Sequence, residues 1–367
     1  MIQNCLLLFL GWILLLNPIH VSAQSFFKPP PGAHWVSTDL HIHTVFSDGS
    51  VWPSIRVEEA RREGLDLISM TEHLEYQPHA EDIPHPDRNR SFAIANGMIG
   101  VDEKLQVING SEITRDMPPG HINAVFIKDA NMLLHSDSLS GIKTANQQGA
   151  FVFWNHPNWD AHRKDGIARL DEFHTYLIEN KLLHGLEVVN ERTYSEEALQ
   201  IALDNELTIL GTSDIHGLTD WLFEIPLGGH RPMTFVLSES KSPEALKKAL
   251  FEGKTVVWFK NLLIGKEIYM KKMIRENLTF ESANYLEDKT ILQLKLTNHS
   301  ATDFQLEYIG DYSFHQHSSV ITIPARSSVE LMVKTKNLKS KVTLPFRILN
   351  TIIKPKTHLE MDFHLNL

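Results

Sequence analysis

The chain has 367 residues, one cysteine, and 45 acidic side chains against 35 basic ones, a net charge of −10. A lone cysteine excludes a disulfide scaffold, and the negative balance is a poor fit to bulk nucleic-acid binding, whose affinity comes mainly from neutralised phosphates. The acidity lies in front: residues 1–260 hold 21 Lys+Arg against 34 Asp+Glu and residues 261–367 hold 14 against 11, so the front part suits a protein that holds cations.

Residues 1–23 read as a secretory signal. An apolar stretch from Leu6 to Leu16, short for a membrane span, ends in Val21-Ser22-Ala23, which suits signal peptidase. Cleavage before Gln24 would remove Cys5 and leave a secreted or periplasmic chain with no cysteine and no transmembrane segment. No Lys or Arg precedes the apolar run, so an uncleaved anchor is the competing reading. A Pro-rich lead fills 24–34.

Residues 35–260 alternate strand-like and helix-like segments. Strand patterns fall at Val36–His43, Asp66–Thr71, Leu105–Asn109, Ala150–Trp154, Gly185–Val189, Leu207–Leu210, Met233–Leu237 and Thr255–Phe259. Helical patterns fall at Pro53–Glu63, Ser138–Gln148, Asp171–Leu183, Ser195–Asn205 and Ser242–Phe251, with Gly64, Gly149 and Gly253 as stops. This predicts an α/β fold with a parallel sheet closed, or nearly closed, into a barrel, with chemistry at the C-terminal strand ends. Residues 261–367 alternate apolar and polar positions with turn-formers between, which predicts a small C-terminal antiparallel β-sandwich of unknown role. Its Lys-rich segment 334–341 reads as a solvated edge, and His315 and His317 as surface residues.

The chemistry sits where apolar runs stop. In the first strand His41 and His43 point to one face while Leu40 and Ile42 point to the other, and imidazoles about 7 Å apart can share a metal. Later runs end in Glu72-His73, Glu112, His156 and Asp214 with His216, and His121 follows a Pro-Gly turn. Each of these alone is also what a hydrogen-bonded histidine or a capping acid looks like; together they fit ligands for a divalent metal.

These residues resemble the polymerase and histidinol phosphatase (PHP) superfamily of metal-dependent phosphoesterases. The motifs stand as His41-Ile42-His43 with Asp48, Thr71-Glu72-His73, Gly110-Ser111-Glu112 with His121, Asn155-His156-Pro157, and Ser213-Asp214-Ile215-His216. The similarity spans about 35–260 and fills all nine ligand positions of the family in order. It implies a distorted (β/α)7 barrel with two to three divalent ions, Zn, Mn or Fe. It further implies that His41, His43, Glu112 and Asp214 hold one ion, that Glu112 bridges to a second with His121 and His156, and that Asp48, His73 and His216 hold a third. Asp39 and Glu72 read as groups that orient the ligands, with loop capping as the other reading of Glu72.

From the resemblance follows a hydrolase for a small phosphate diester or monoester, a diester being slightly favoured. Glu112 and Asp214 would hold the metal-bridging hydroxide that attacks phosphorus. Such chemistry calls for substrate-binding cations. Arg88, Arg90 and His79 are candidates in the long loop Tyr76–Ser91, which also carries His85; Arg115, Arg192 and His230 are others at strand ends or entries, and Arg231 beside His230 could face site or solvent. Two other readings stay open: a metal-dependent amidohydrolase or lactonase on a related barrel, and a non-catalytic metal-stabilised binding protein.

Overall fold

The structure is a computed structural model that describes residues 25–367, so the expected signal lies outside the described residues. The barrel is built on β1 (His34–Asp39), β2 (Leu67–Met70), β3 (Gln106–Ile113), β4 (Ile122–Val125), β5 (Phe151–Trp154), β6 (Gly185–Asn190), the short β7 (Thr193–Tyr194), β8 (Thr208–Thr212), β9 (Met233–Ser238), β10 (Thr255–Phe259) and β11 (Leu262–Gly265). Between them run α1 (Pro53–Glu63), α2 (Arg90–Asn96), α3 (Ser138–Gln147), α4 (Glu172–Glu179), α5 (Glu196–Asp204), α6 (Thr219–Phe223) and α7 (Pro243–Phe251). The helices begin and end for local reasons. Pro53 opens α1, where its missing N–H costs nothing, and Gly64 closes it at φ 76° with its N–H on the last carbonyls. Ser195 and Ser242 cap α5 and α7 by accepting from Ala198 and Ala245.

The sheet is mixed, which corrects the all-parallel expectation. Strands β1, β2 and β3 are parallel, as are β5, β6 and β8, but β4 runs antiparallel to both β3 and β5, and β9 runs antiparallel to β1 and β10. The eight residues between β3 and β4 are too few for a parallel crossover, so the chain can only turn back. Closure comes from the seam between β8 and β9, where the Thr234 hydroxyl accepts from Gly211 N at 2.9 Å and donates to its O at 2.8 Å. A side chain at Gly211 would meet Val257 Cγ1 at 2.2 Å, so only glycine lets β8 come this close to β10. At the C-terminal end, Asp214 N and His43 N donate to His41 O and Ile215 O, which lays the segment after β8 beside the segment after β1.

The expected boundary at 261 falls inside the hairpin β10–β11, whose ladder runs from Val256↔Gly265 to Phe259↔Leu262. α8 (Glu267–Asn277) then leads into the sandwich. Its strands are β12 (Leu278–Tyr285), β13 (Ile291–Asn298), β14 (Phe304–Tyr308), β15 (Ser313–Phe314), β16 (Val320–Ile323), β17 (Ser328–Lys334), β18 (Lys341–Ile348) and β20 (Leu359–Asn366), in two antiparallel sheets ordered β12-β13-β17-β15 and β16-β14-β18-β20. Between β18 and β20, β19 (Thr351–Ile352) returns to the barrel and pairs parallel with β11. The lead is fastened to this joint: Phe27 is buried edge-on against Phe235 and Trp258, and the Asn277 amide exchanges two hydrogen bonds with the Lys28 backbone. One apolar core thus runs from barrel to sandwich. His315 and His317 are exposed, as is most of 334–341. No described helix is long and apolar enough to cross a membrane.

Candidate metal centre

The strand ends converge. Past β1 the alternation places Leu40 and Ile42 in the core and turns His41 and His43 to the inside, where both are wholly buried. Their Nε2 atoms lie 2.9 Å apart, each 3.1 Å from Asp214 Oδ1. Glu112, near the end of β3, is central: its carboxylate lies 3.6, 3.4, 2.6, 3.0 and 3.5 Å from ring nitrogens of His41, His43, His73, His121 and His156. Asp48 joins His216 at 3.1 Å and His73 at 3.4 Å. All nine ligand candidates therefore form one connected cluster. His156 and Asp214 hold positive φ angles of 28° and 48°, a conformation that costs a non-glycine residue about 1–3 kcal/mol and recurs at functional sites.

Three overlapping groups place ligand atoms within 4.8 Å of one another: His43, Asp48, His73 and His216; His41, His43 and Glu112; and His73, Glu112 and His121. Glu112 is common to two of these groups. The groups differ from the implied sets in detail, because His43 also reaches the Asp48 group and His73 lies against Glu112.

The residues behind the cluster decide which atoms face inward. His41 Nδ1 lies 2.8 Å from Glu187 Oε1, which turns Nε2 to the cluster. Glu187 also accepts from Thr212, from His156 N and from Asn190, whose amide reaches Asp214 as well. The Ser47 hydroxyl donates to Glu72 at 2.6 Å and so offers its oxygen to His43 Nδ1 at 3.2 Å. Glu72 takes three further hydrogen bonds, from Thr44 N, Thr44 Oγ1 and Ser91, so it both orients a ligand and closes a loop. Asp39 accepts from Ser213 N and Oγ and from Arg231, which fixes the residue next to Asp214. The Asn155 amide donates to Glu112 at 2.8 Å. Glu187, Asn155 and Asn190 are absent from the sequence-based set. For Glu187 a signal exists: it is the one charged residue within the apolar strand β6.

This donor set fits divalent cations. The Nε2 atoms of His41 and His43 face each other and Asp214, while Glu112 Oε2, Asp214 Oδ1 and Asp48 Oδ1 are buried with no hydrogen bond directed at them. The field asks for positive charge too. Burial opposes charge on His73, His216 and His41, yet facing carboxylates overcome it and raise His73 to about 10, His216 to about 9 and His41 well above its ordinary value. Burial also opposes charge on Glu112 and Asp214, and the imidazoles hold both well below the usual carboxylate range. His43 is driven down instead, to about 3, by burial and by His216 and His73. Solvent reaches the cluster on one side: the side chains of His216 and Asp48 are 39% and 26% exposed, those of His41, His43 and Glu112 not at all.

The substrate-binding candidates make no polar contact with the nine. None of the side chains of Arg88, Arg90, His79, Arg115, Arg192 and His230 has a hydrogen bond or ion pair to the nine. Arg88 donates to Leu74 O, Gln77 and His85 O. Arg115 binds Glu75 and His135 O, and Arg192 binds Leu222 O. Arg90 is exposed at the start of α2, and His79 is half-buried in a turn closed by its carbonyl. His230 stacks on Trp258 between the carbonyls of Arg231 and Lys260. Arg231 is wholly buried between Asp39 and Glu63. His85 fastens the long loop to Phe46 O. Arg88, Arg115 and Arg192 are thus each engaged by backbone carbonyls.

Glu187→Gln keeps the shape of the group behind His41 but halves its acceptors and removes its charge. Metal affinity is expected to fall about 10–100-fold. Titration of the metal-free protein with Zn or Mn, followed by calorimetry, measures this; unchanged affinity would show Glu187 to be only a core group.

A family model described as an Ig-like domain matches residues 278–364. No curated protein matches. Among solved structures, the chain is similar to a two-domain protein from Bacteroides vulgatus described as containing a predicted PHP-like metal-dependent phosphoesterase, with 35% identity over 93% of this chain and 99% of that one and a TM-score of 0.86. A protein from Bifidobacterium adolescentis described as a candidate metal-dependent phosphoesterase matches at 19% identity, over 52% of this chain and 90% of that one, with a TM-score of 0.37.

Proposed function

The chain belongs to the PHP-like metal-dependent phosphoesterases, and from that premise we propose that it hydrolyses a small phosphate monoester or diester with two to three divalent ions, Zn, Mn or Fe, held by the nine-residue cluster. The observation that carries the proposal is Glu112, a single buried carboxylate against five imidazoles, with a further acid on either side in Asp48 and Asp214. His41, His43, Glu112 and Asp214 would hold one ion, Glu112, His121 and His156 a second, and Asp48, His73 and His216 a third. When bound, such ions supply Lewis-acid activation of water and offset charge on the phosphoryl oxygens.

The chain's own residues hold the geometry. Glu187 and the Ser47–Glu72 pair fix the rings of His41 and His43, and Asn190 and the Asp39–Ser213 pair fix Asp214. A substrate phosphate enters over the open side at His216 and Asp48. No described arginine has a hydrogen bond or ion pair to a side chain of the cluster, since the buried Arg56 meets it only at the His43 carbonyl, so much of the charge balance at phosphate falls to the cations. In the reaction water adds to phosphorus, the ester P–O bond breaks, and the alcohol leaves carrying a proton.

We propose further that the protein works outside the cytoplasm, a reading supported by the leader at 1–23 and by a remainder without cysteine. One experiment addresses both points. Protein recovered after export should begin at Gln24, contain two to three ions per chain by elemental analysis, and hydrolyse bis(p-nitrophenyl) phosphate or p-nitrophenyl phosphate in a metal-dependent way. Turnover of p-nitroanilide amides with no phosphoester cleavage would overturn the phosphoesterase reading.

A further inference from the structure

A cavity opens on the same face of the barrel as the metal centre. Strand β9 is antiparallel to β1, with Thr234 opposite Thr38, so the segment entering β9 sits at the C-terminal end of β1, and Trp258 beside Met233 sits there too. That segment, the end of β10, α6 and the turn after β6 enclose a cavity of about 580 Å3, within the usual range for small-molecule sites. The sandwich closes it with Ala301–Asp303 from the turn before β14. This wall is pinned to the barrel: Thr302 Oγ1 donates to Asn261 Oδ1 at 2.7 Å, and the Asn350 amide spans Asn261 O and Asp303 O.

The cavity is tied to the metal cluster by three consecutive residues. Asn190 donates to Asp214, Glu191 stands next to it at a positive φ of 52° with its N–H on Thr212 O, and Arg192 follows. Both Glu191 and Arg192 line the cavity. The carboxylate of Glu191 makes no hydrogen bond, and its pKa is raised by partial burial and by Asp214.

The lining defines a ligand chemistry. Trp221, 75% exposed on α6, presents a bare indole. Carboxylates of Glu191 and Glu224 are set against the cations of Arg192 and Lys260. An anionic ligand would meet the acids, and a purely apolar one would strip water from four charges. A neutral ring with an apolar face for indole and hydroxyls for the charged rim meets neither penalty.

We propose that this cavity is the subsite for the alcohol part of the substrate, a hexose-like polyol ring, with the sandwich domain supplying one wall. The inference rests on the phosphoesterase reading for its place in the reaction, but the binding itself does not.

The test compares the metal-loaded wild type with Trp221→Ala and Glu191→Gln on hexose 1-phosphates (glucose, galactose, mannose) and on methyl phosphate, by phosphate release. Wild type should favour at least one hexose ester over methyl phosphate in kcat/KM, and Trp221→Ala should reduce that preference at least ~10-fold, mostly through KM. Glu191→Gln should reduce it in the same direction. In parallel, saturation-transfer NMR with the corresponding methyl hexosides should show binding that Trp221→Ala removes; an indole this exposed can be truncated without loss of the fold, which circular dichroism checks. Ester turnover with no preference, or with one the variants leave intact, overturns the subsite and leaves the phosphoesterase standing. Hexoside binding that depends on Trp221, without turnover of these esters or of bis(p-nitrophenyl) phosphate, supports the subsite and overturns the phosphoesterase. Neither binding nor turnover of any of them overturns both.

Discussion

Glu112→Gln is expected to lower kcat toward p-nitrophenyl phosphate by about three orders of magnitude, and to lower the metal content of the purified protein with it. Glutamine has the same shape, so the folded chain should survive and its circular dichroism should match wild type. What it loses is specific. The carboxylate is wholly buried and lies within 3.6 Å of ring nitrogens from five histidines on four different strand ends. The imidazoles of His73, His121 and His41 keep it ionised against the cost of burial. An amide brings no negative charge and puts an NH2 where a lone pair is needed, so it cannot serve two groups of ligands at once. Elemental analysis beside steady-state kinetics separates lost metal from lost turnover. A variant within tenfold of wild type in kcat would remove the cluster from the reaction.

Most of the nine ligand candidates were legible because they depend only on where a strand stops and on period-two alternation, whereas Asp48 in a loop and His121 after a Pro-Gly turn came with the family resemblance. His41 and His43 face together whatever surrounds them, and Glu112 and Asp214 end runs that could only be strands. The supporting shell was less legible. Asp39 lies beside a motif and Glu72 and Asn155 lie within motifs, although Asn155 is a neutral residue whose role shows only in what it touches; Glu187 reaches His41 from 146 residues away, and Asn190 stands outside every motif. Arg192 and His230 line the cavity beside the site, but Arg88 and Arg115 are engaged elsewhere for a physical reason. A cation near a strand end can serve a phosphate or the carbonyls of its own loop, and composition does not separate the two; Arg88, on Leu74 O and His85 O, does the second. In the fold, the barrel and the sandwich were readable from periodicity, but the antiparallel course of β4 and the return of β19 to β11 depend on pairing partners, which a single strand's pattern does not name.

The largest expected effect on stability lies at Arg231, beneath the metal centre. Its guanidinium is wholly buried, donates to Asp39 at the end of β1 at 3.0 Å and forks onto both oxygens of Glu63 at the end of α1 at 2.8 and 2.9 Å. Arg231→Met fills similar space but leaves two buried carboxylates without their cation, so unfolding free energy should fall by about 3–5 kcal/mol in urea titrations. The pH dependence gives an independent check. Burial opposes charge on wild-type Glu63, and Arg231 holds its pKa below the ordinary value, so its contribution is present above the unfolded pKa of about 4.3 and is lost as pH falls through the folded one. In the variant burial acts with only the weaker help of Thr219 and Arg62, the folded pKa rises above the unfolded one, and the sign reverses: stability is lost as pH rises. Asp39, whose pKa burial already raises in spite of Arg231, moves further the same way. The penalty should therefore be larger at pH 8 than at pH 5, and adding Asp39→Asn and Glu63→Gln should recover part of it at pH 8. A penalty independent of pH would mean that packing, not charge, holds this joint. Because Asp39 also carries Ser213 through two hydrogen bonds, next to Asp214, the same variant should bind metal more weakly even at temperatures where it stays folded. The ion pair that ties β1 to α1 thus also fixes the far side of the site.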